Sequence, residues 1–288
     1  MKERLVRYIL NVYFATLSGT MIKGYYCVLF FSIISILSSI AQDQMNDGDF
    51  PYLGEKLEYK ISYGGWLPLG SAAATIDSVF SYQDETEYFN VVLRAKTAWY
   101  LSFVKNIDDV YTSKLRSKDL KAIYSEAHTT KGGEKWDQVN EFDYDSMKVS
   151  VKGRSTKPEK VEDKEWLLTI NDRTYDIMGS YLFFRDLDWD SFIEGDSVMI
   201  STLEDHKVWD FGIEFAGREK IKFHGKSYSA YKVIVLFPVT RTFTEEKAVL
   251  FWVIEKDGVK LPVRIDANMR VGKMRVELTK FEGRYSFK

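Results

Sequence analysis

Histidines, paired carboxylates and short glycine motifs are the first places to look for chemistry in this chain. His128, His206 and His224 are its three histidines. None has a second histidine at a metal-ligand spacing, and a zinc site draws on three or four nitrogen, oxygen or sulfur donors. Each therefore reads as a surface or strand histidine. Asp108-Asp109 and Glu245-Glu246 would serve glycoside hydrolysis only if two carboxyl groups faced one another across a cleft at about 5–10 Å. Neighbours on a strand point to opposite faces, so each pair reads as turn or solvated edge. Asp210-Phe211-Gly212 spells a kinase metal motif, but no glycine-rich loop, strand lysine or catalytic loop accompanies it. Gly225-Lys226-Ser227 ends like a phosphate-binding loop, yet Lys220 stands where that loop needs glycine. No G-x-S-x-G nucleophile elbow occurs. The expectation is no catalytic residue, no metal ligand and no cofactor.

Aromatic residues make up 15% of the chain, and they carry the binding candidates. Tyr63, Trp66, Trp99, Met178, Tyr181, Phe184 and Trp252 are expected to line an apolar cavity between a curved sheet and a helix, with Tyr100 and Phe103 close by in sequence. For any one of them core packing is the plainer reading, because aromatics mostly fill cores. Trp66, in the segment GGWLPLG, is the best individual case. A large ring in a Gly- and Pro-rich loop has less sheet to pack on, and loops carry function more often than the elements they join.

The elements that would position these residues are mainly strands. Lys56–Tyr63 alternates apolar and polar residues, as a half-buried strand does. Gly64-Gly65 and Pro68-Leu69-Gly70 break the pattern, and strands follow at Ser71–Phe80 and Tyr88–Ala95, with small Ala72, Ala73 and Ala74 where another backbone comes close. Four more are expected at Tyr228–Phe237, Lys247–Glu255, Lys260–Ala267 and Lys273–Phe281. Asp257-Gly258 supplies the positive φ of a tight hairpin turn between the second and third of these. Val249–Ile254 is apolar on both faces, the mark of a central strand covered on both sides. The polar stretch Lys152–Lys164 reads as a long exposed loop. Thr174–Asp186 differs from all of these. Its apolar residues fall at helical spacing, with Asp172 or Thr174 as the cap and Gly179 as a close-packing point. The expected fold is a mainly β, antiparallel open barrel or curved β-sandwich with one packed helix, a single β-rich domain over residues 50–288.

Tyr25–Ala41 is an uncharged apolar run preceded by Lys23 and ending in Ser39-Ile40-Ala41. A basic flank, an apolar core and a small-x-small end are the parts of a secretory signal peptide. Residues 1–41 are read as that signal, cut after Ala41, with 1–20 as an over-extended start ahead of Met21. An uncleaved anchor is the alternative, although the run is at the short edge of a membrane span. Cys27 is the only cysteine, so the exported part would have neither disulfide nor thiol chemistry. The first 41 residues carry four cations and one anion, and their removal takes the formal net charge from −2 to −5. That balance argues against a nucleic-acid partner and gives no reason to expect adhesion to anionic lipid.

Three blocks resemble a bacterial exported family, the domain of unknown function 3108. Gly54 to Gly65 (GEKLEYKISYGG) followed by Leu69-Gly70-Ser71-Ala72 resembles its opening motif. Tyr175 to Arg185 (YDIMGSYLFFR) resembles its central D-x-x-S-x-x-Y-x-x-R block, with the serine displaced by one at Gly179-Ser180. Phe251-Trp252-Val253, Leu261-Pro262-Val263-Arg264 and Gly272 to Leu278 are similar to its closing pattern. The resemblance implies an exported protein and no particular activity.

The leading expectation is a non-catalytic periplasmic or secreted protein, at most peripheral to the membrane, that binds a lipid or other apolar or amphipathic envelope molecule. The alternatives are a structural or interaction protein of the envelope with a filled core, and an envelope polysaccharide hydrolase. A large apolar cavity, an exposed apolar patch, or convergent carboxylates in a groove would separate the three. The sequence leaves the oligomeric state open.

Overall fold

The computed structural model describes residues 50–81, 86–103, 106–131, 134–157, 160–237, 245, 247–270 and 272–283. The Tyr25–Ala41 run and the start and cleavage expectations attached to it lie outside these residues, as does Glu246.

Fifteen strands among the described residues form one continuous sheet. β1 (Lys56–Tyr63), β2 (Leu67–Ser81), β3 (Thr86–Thr97), β4 (Asp108–Arg116), β5 (Ala122–Lys131), β6 (Glu134–Asp143), β7 (Lys148–Lys157) and β8 (Lys160–Thr169) make the first half. A two-residue β9 (Thr174–Tyr175) and the helix α1 (Ile177–Asp186) follow. β10 (Ser197–Glu204), β11 (Lys207–Phe223), β12 (Lys226–Leu236), β13 (Val249–Lys256), β14 (Val259–Asn268) and β15 (Lys273–Glu282) complete it. Each strand pairs with its sequence neighbours except β8 and β9, which are the two edges, and β1 pairs with β15, which joins the two halves. All pairings are antiparallel except the short β9–β10 contact. A single sheet settles the architecture as the open barrel rather than the two-sheet sandwich.

The sheet curls around α1. Side chains of β4, β10 and the turn before β1 reach the helix or its cap, and the Lys260 carbonyl of β14 accepts from Arg185. The two edges approach one another without backbone pairing. The Gln138 amide of β6 donates to the Asp205 carbonyl, and Trp166 of β8 stacks on His206 with ring centroids 4.5 Å apart.

The expected strand β1 appears with the predicted bounds, and the four C-terminal strands appear within two residues of theirs. Asp257 and Gly258 both adopt positive φ, 54° and 76°, as the β13–β14 hairpin requires. Lys152–Lys164 is corrected: it is not a loop but most of the β7–β8 hairpin. Val149, Val151 and Ser155 point inward from β7, while β8 is an edge strand almost wholly exposed. Its charges suit an edge, because they discourage pairing with another chain. Pro68-Leu69-Gly70 is corrected too, since β2 runs through it. Pro68 sits at the register shift between Ile61 and Ser62, an irregularity where a missing ladder donor is tolerated. The helix begins at Ile177 and is capped by Asp176, not Asp172 or Thr174. The Asp176 carboxylate accepts from the Gly179 N–H, one of the donors a helix start leaves unsatisfied. Gly179 is the expected close-packing point. A β-carbon there would lie 2.5 Å from the Leu120 carbonyl oxygen.

Candidate functional site

α1 separates two environments. Its first turn faces polar side chains of β4–β6. Ser113, Ser125 and Asn140 are direct cross-strand partners, so strand alternation places all three on the inner face. The Asn140 amide donates to Ser125 Oγ at 3.0 Å, and the Gln138 amide donates to Asn140 Oδ1 at 3.0 Å. Ser113 donates to the Asp176 carboxylate. Burial pushes the Asp176 carboxyl up to about 6, although the bonds from Ser113 and Gly179 favour its charged form. These groups, with Met178 and Leu203, border a small cleft of about 40 Å³.

The last turn of α1 faces the opposite chemistry. Tyr181, Phe184 and Trp189 meet Val233, Val235, Phe251 and Val253 from β12 and β13, around an apolar cleft of about 30 Å³. The indole N–H of buried Trp189 has no hydrogen-bond partner among the described residues.

A buried ion pair fastens this end of the helix. Arg185 and Glu55 are 2% and 3% exposed, and the guanidinium grips the carboxylate with two bonds, 2.5 and 2.7 Å. Arg185 also donates to the Lys260 carbonyl at 2.8 Å and lies 4.0 Å over the Tyr52 ring. Tyr52 returns a hydrogen bond to the Arg185 carbonyl at 2.8 Å. Burial by itself would lower the Arg185 pKa; the charge of Glu55 and its other partners outweigh that and hold it well above the usual value. Bidentate pairing of this kind satisfies the buried charges geometrically as well as electrostatically.

The sequence-derived candidates divide into three places. Met178 borders the polar cleft, and Tyr181 and Phe184 border the apolar one. Trp252 is buried on the outer face, with the Arg264 guanidinium 4.5 Å over its ring. Its neighbours Phe251 and Val253 point inward, as alternation demands. Tyr63, Trp66 and Trp99 gather at one end of the barrel. The β1–β2 turn carries Trp66, and a short 3-10 turn after β3 begins at Trp99. Tyr100 Oη donates to the Pro68 carbonyl at 2.7 Å, and the Ala98 N–H donates to the Leu69 carbonyl at 2.8 Å, so the two turns are held together. Trp66 is 58%, Trp99 85% and Phe103 83% exposed. The single shared cavity expected from the sequence is therefore replaced by an interior pair of clefts, an outer-face ring and an exposed aromatic tip.

Sequence reading missed Glu55, Trp189 and the Ser113–Ser125–Asn140 row. The Glu55–Arg185 pair spans 130 positions, and three isolated polar residues on three strands leave no local signal. The histidines stay apart: His128 bonds Asp137 at 2.7 Å on the surface, His206 stacks on Trp166, and His224 lies against Phe223.

A family model described as "Protein of unknown function (DUF3108)" matches residues 58–279. No curated protein matches the chain. A solved structure titled "Crystal Structure of Beta-barrel-like Protein of Domain of Unknown Function DUF1849 from Brucella abortus" superposes with a TM-score of 0.49 and 8% identity, covering 81% of this chain and 98% of that one.

Proposed function

We propose, from the premise that the chain belongs to the DUF3108 family of proteins of unknown function, that it is an exported, non-catalytic envelope protein that docks a partner through its aromatic tip. The observation that carries this is the exposure of Trp66, Trp99 and Phe103 on turns locked to one another. Large rings presented on braced turns need little backbone ordering on contact, and exposed apolar residues brought to one end mark interaction surfaces. The two clefts beside α1 hold room for only a few waters each, against roughly 300–1,000 Å³ for a typical ligand pocket. That favours docking over carriage.

The ligand-binding reading keeps one specific support. Trp189 borders the apolar cleft and offers a buried, unpartnered N–H, a polar handle beside an apolar wall. A ligand there would have to widen the cleft. The hydrolase reading finds less. Asp176 uses its carboxylate on Gly179 and Ser113, and Glu126 accepts from Tyr124 at 2.8 Å.

A photo-crosslinking side chain at position 99 tests the proposal in cells, with the same group at Glu162 on β8 as the control. Adducts at 99 and not at 162 are expected. Equal labelling at the two positions would sink the docking reading.

A further inference from the structure

The tip is not purely apolar. The Gly64 N–H donates to the Lys273 carbonyl at 2.7 Å, so the Trp66 turn rests on the start of β15. The Arg275 guanidinium lies against Gly65, 3.3 Å from where a β-carbon there would be. On the outer face behind this turn, Arg264, Lys273 and Arg275 converge on one carboxylate, Asp266, which they cover completely. Three cations on one anion leave an excess of positive charge. Two further acids lie nearby: Glu277 stands in register between Lys60 and Arg264, and Glu219, on the Arg264 side, is taken by Lys232 at 3.0 Å. Arg270 is exposed in the β14–β15 turn. Asp108 is taken by Lys96 at 3.5 Å.

From these neighbours, and resting on the reading of the tip as the docking surface, we infer that the tip docks on a phospholipid bilayer bearing anionic headgroups. Trp66, Trp99 and Phe103 enter the interfacial layer, and Lys273, Arg275 and Arg270 meet the phosphates. Tryptophan and tyrosine suit that layer because each joins an apolar body to one polar group. Basic residues at its edge are drawn to anionic headgroups. An apolar protein groove would account for the rings and leave the cations unused. Without residues 1–41 the chain is formally −5, so an anionic surface repels most of the barrel and selects this end. The acidic edge strand β8 lies far from β1 in the sheet order.

The test uses the full chain and exploits tryptophan placement. The first tryptophan is Trp66, so the apolar run before residue 50 carries no reporter of its own and quenching reads the position of the tip. Vesicles of phosphatidylcholine with phosphatidylglycerol, carrying brominated acyl chains, quench tryptophans that reach the interface. Quenching of the wild type is expected, with most of it lost in the Trp66→Phe/Trp99→Phe double variant while the thermal melt is unchanged. Trp99→Phe alone, at the most exposed ring, should lose part of it. Lys273→Gln should weaken binding to the anionic vesicles about fivefold and leave phosphatidylcholine vesicles unaffected. An unquenched wild type, quenching that survives the double variant, or a Lys273→Gln protein that binds both vesicle types as before would overturn the inference. If vesicles fail while crosslinking at position 99 captures a protein, the docking reading stands with a protein partner in place of the bilayer.

Discussion

The two ends of α1 look onto halves of one sheet with opposite interiors. β12 and β13 present valines and phenylalanine to Tyr181 and Phe184. β4, β5 and β6 present Ser113, Ser125 and Asn140 to the capping turn at Asp176. Both halves alternate in the same way, so backbone geometry does not separate them; the identity of the inward residue does. The apolar half gains from removing surface from water, at about 25 cal/mol per Å². The polar half gains little net from each hydrogen bond but loses heavily when a buried partner is deleted. One continuous sheet thus holds a helix in two ways, by apolar burial with the Arg185–Glu55 clasp at one end and by a satisfied polar row at the other.

The largest expected effect is at the clasp on the apolar end of the helix. Arg185→Met leaves the Glu55 carboxylate buried without its partner and should cost about 3–5 kcal/mol in urea denaturation. A loss below about 1 kcal/mol, the range of exposed pairs, would show that the clasp does not secure the helix. The comparison itself is tested by a pair of truncations. Trp189→Ala in the apolar half should cost about 3–5 kcal/mol. Asn140→Ala in the polar half should cost about 1–3 kcal/mol, through the groups it leaves unpaired. Equal costs would erase the distinction.

Acid titration sharpens it further. Burial raises the Asp176 carboxyl from 3.8 to about 6 in the folded state. The folded protein therefore holds this proton between about pH 4 and 6 while the unfolded chain has released it. Stability from this group should be greatest below pH 4 and fall by roughly 3 kcal/mol as pH rises through 6. Asp266 runs the other way. Burial pushes its carboxyl up, but the bonds from Arg275, Arg264 and Lys273 outweigh that and bring it down to about 2, so its stabilisation is present above pH 4 and fades toward pH 2. Asp176→Asn keeps a capping side chain and should flatten the pH 4–6 limb alone in melts across that range. A limb that persists in this variant would assign it to another group. The smallest effect belongs to the tip. Trp99→Ala should change stability by less than about 0.5 kcal/mol, since its ring faces solvent. A larger loss in thermal melts would mean that the tip is packed structure rather than a presented surface.

Where period-two alternation met clear turn residues, the sequence was easy to read. Leu57 and Tyr59 marked β1, and Asp257-Gly258 marked the hairpin between β13 and β14. The same rule failed at Lys152–Lys164, because β7 turns only Gly153 and Ser155 inward there and the edge strand β8 is wet on both faces, so neither shows an apolar alternation. It could not assign Trp252 to the outer face, because Val249–Ile254 is apolar on both sides. Pro68 hid the start of β2, since a register shift absorbs a residue that normally ends a strand.

Local pattern sufficed for the mainly β character, the order of the C-terminal strands, the helix around its tight point at Gly179, and family membership through three spaced blocks. These depend on local periodicity and turn chemistry, which neighbouring residues encode. Folding was needed to show that Glu55 holds Arg185 across 130 positions, that Ser113, Ser125 and Asn140 align in one row, and that Trp66 and Trp99 stand exposed at the tip while Tyr181 and Phe184 close on β12 and β13. Those outcomes turn on strand register and on the curl that carries distant strands around the helix. Register and curl arise from summed pairing along the whole sheet, so no short segment contains them.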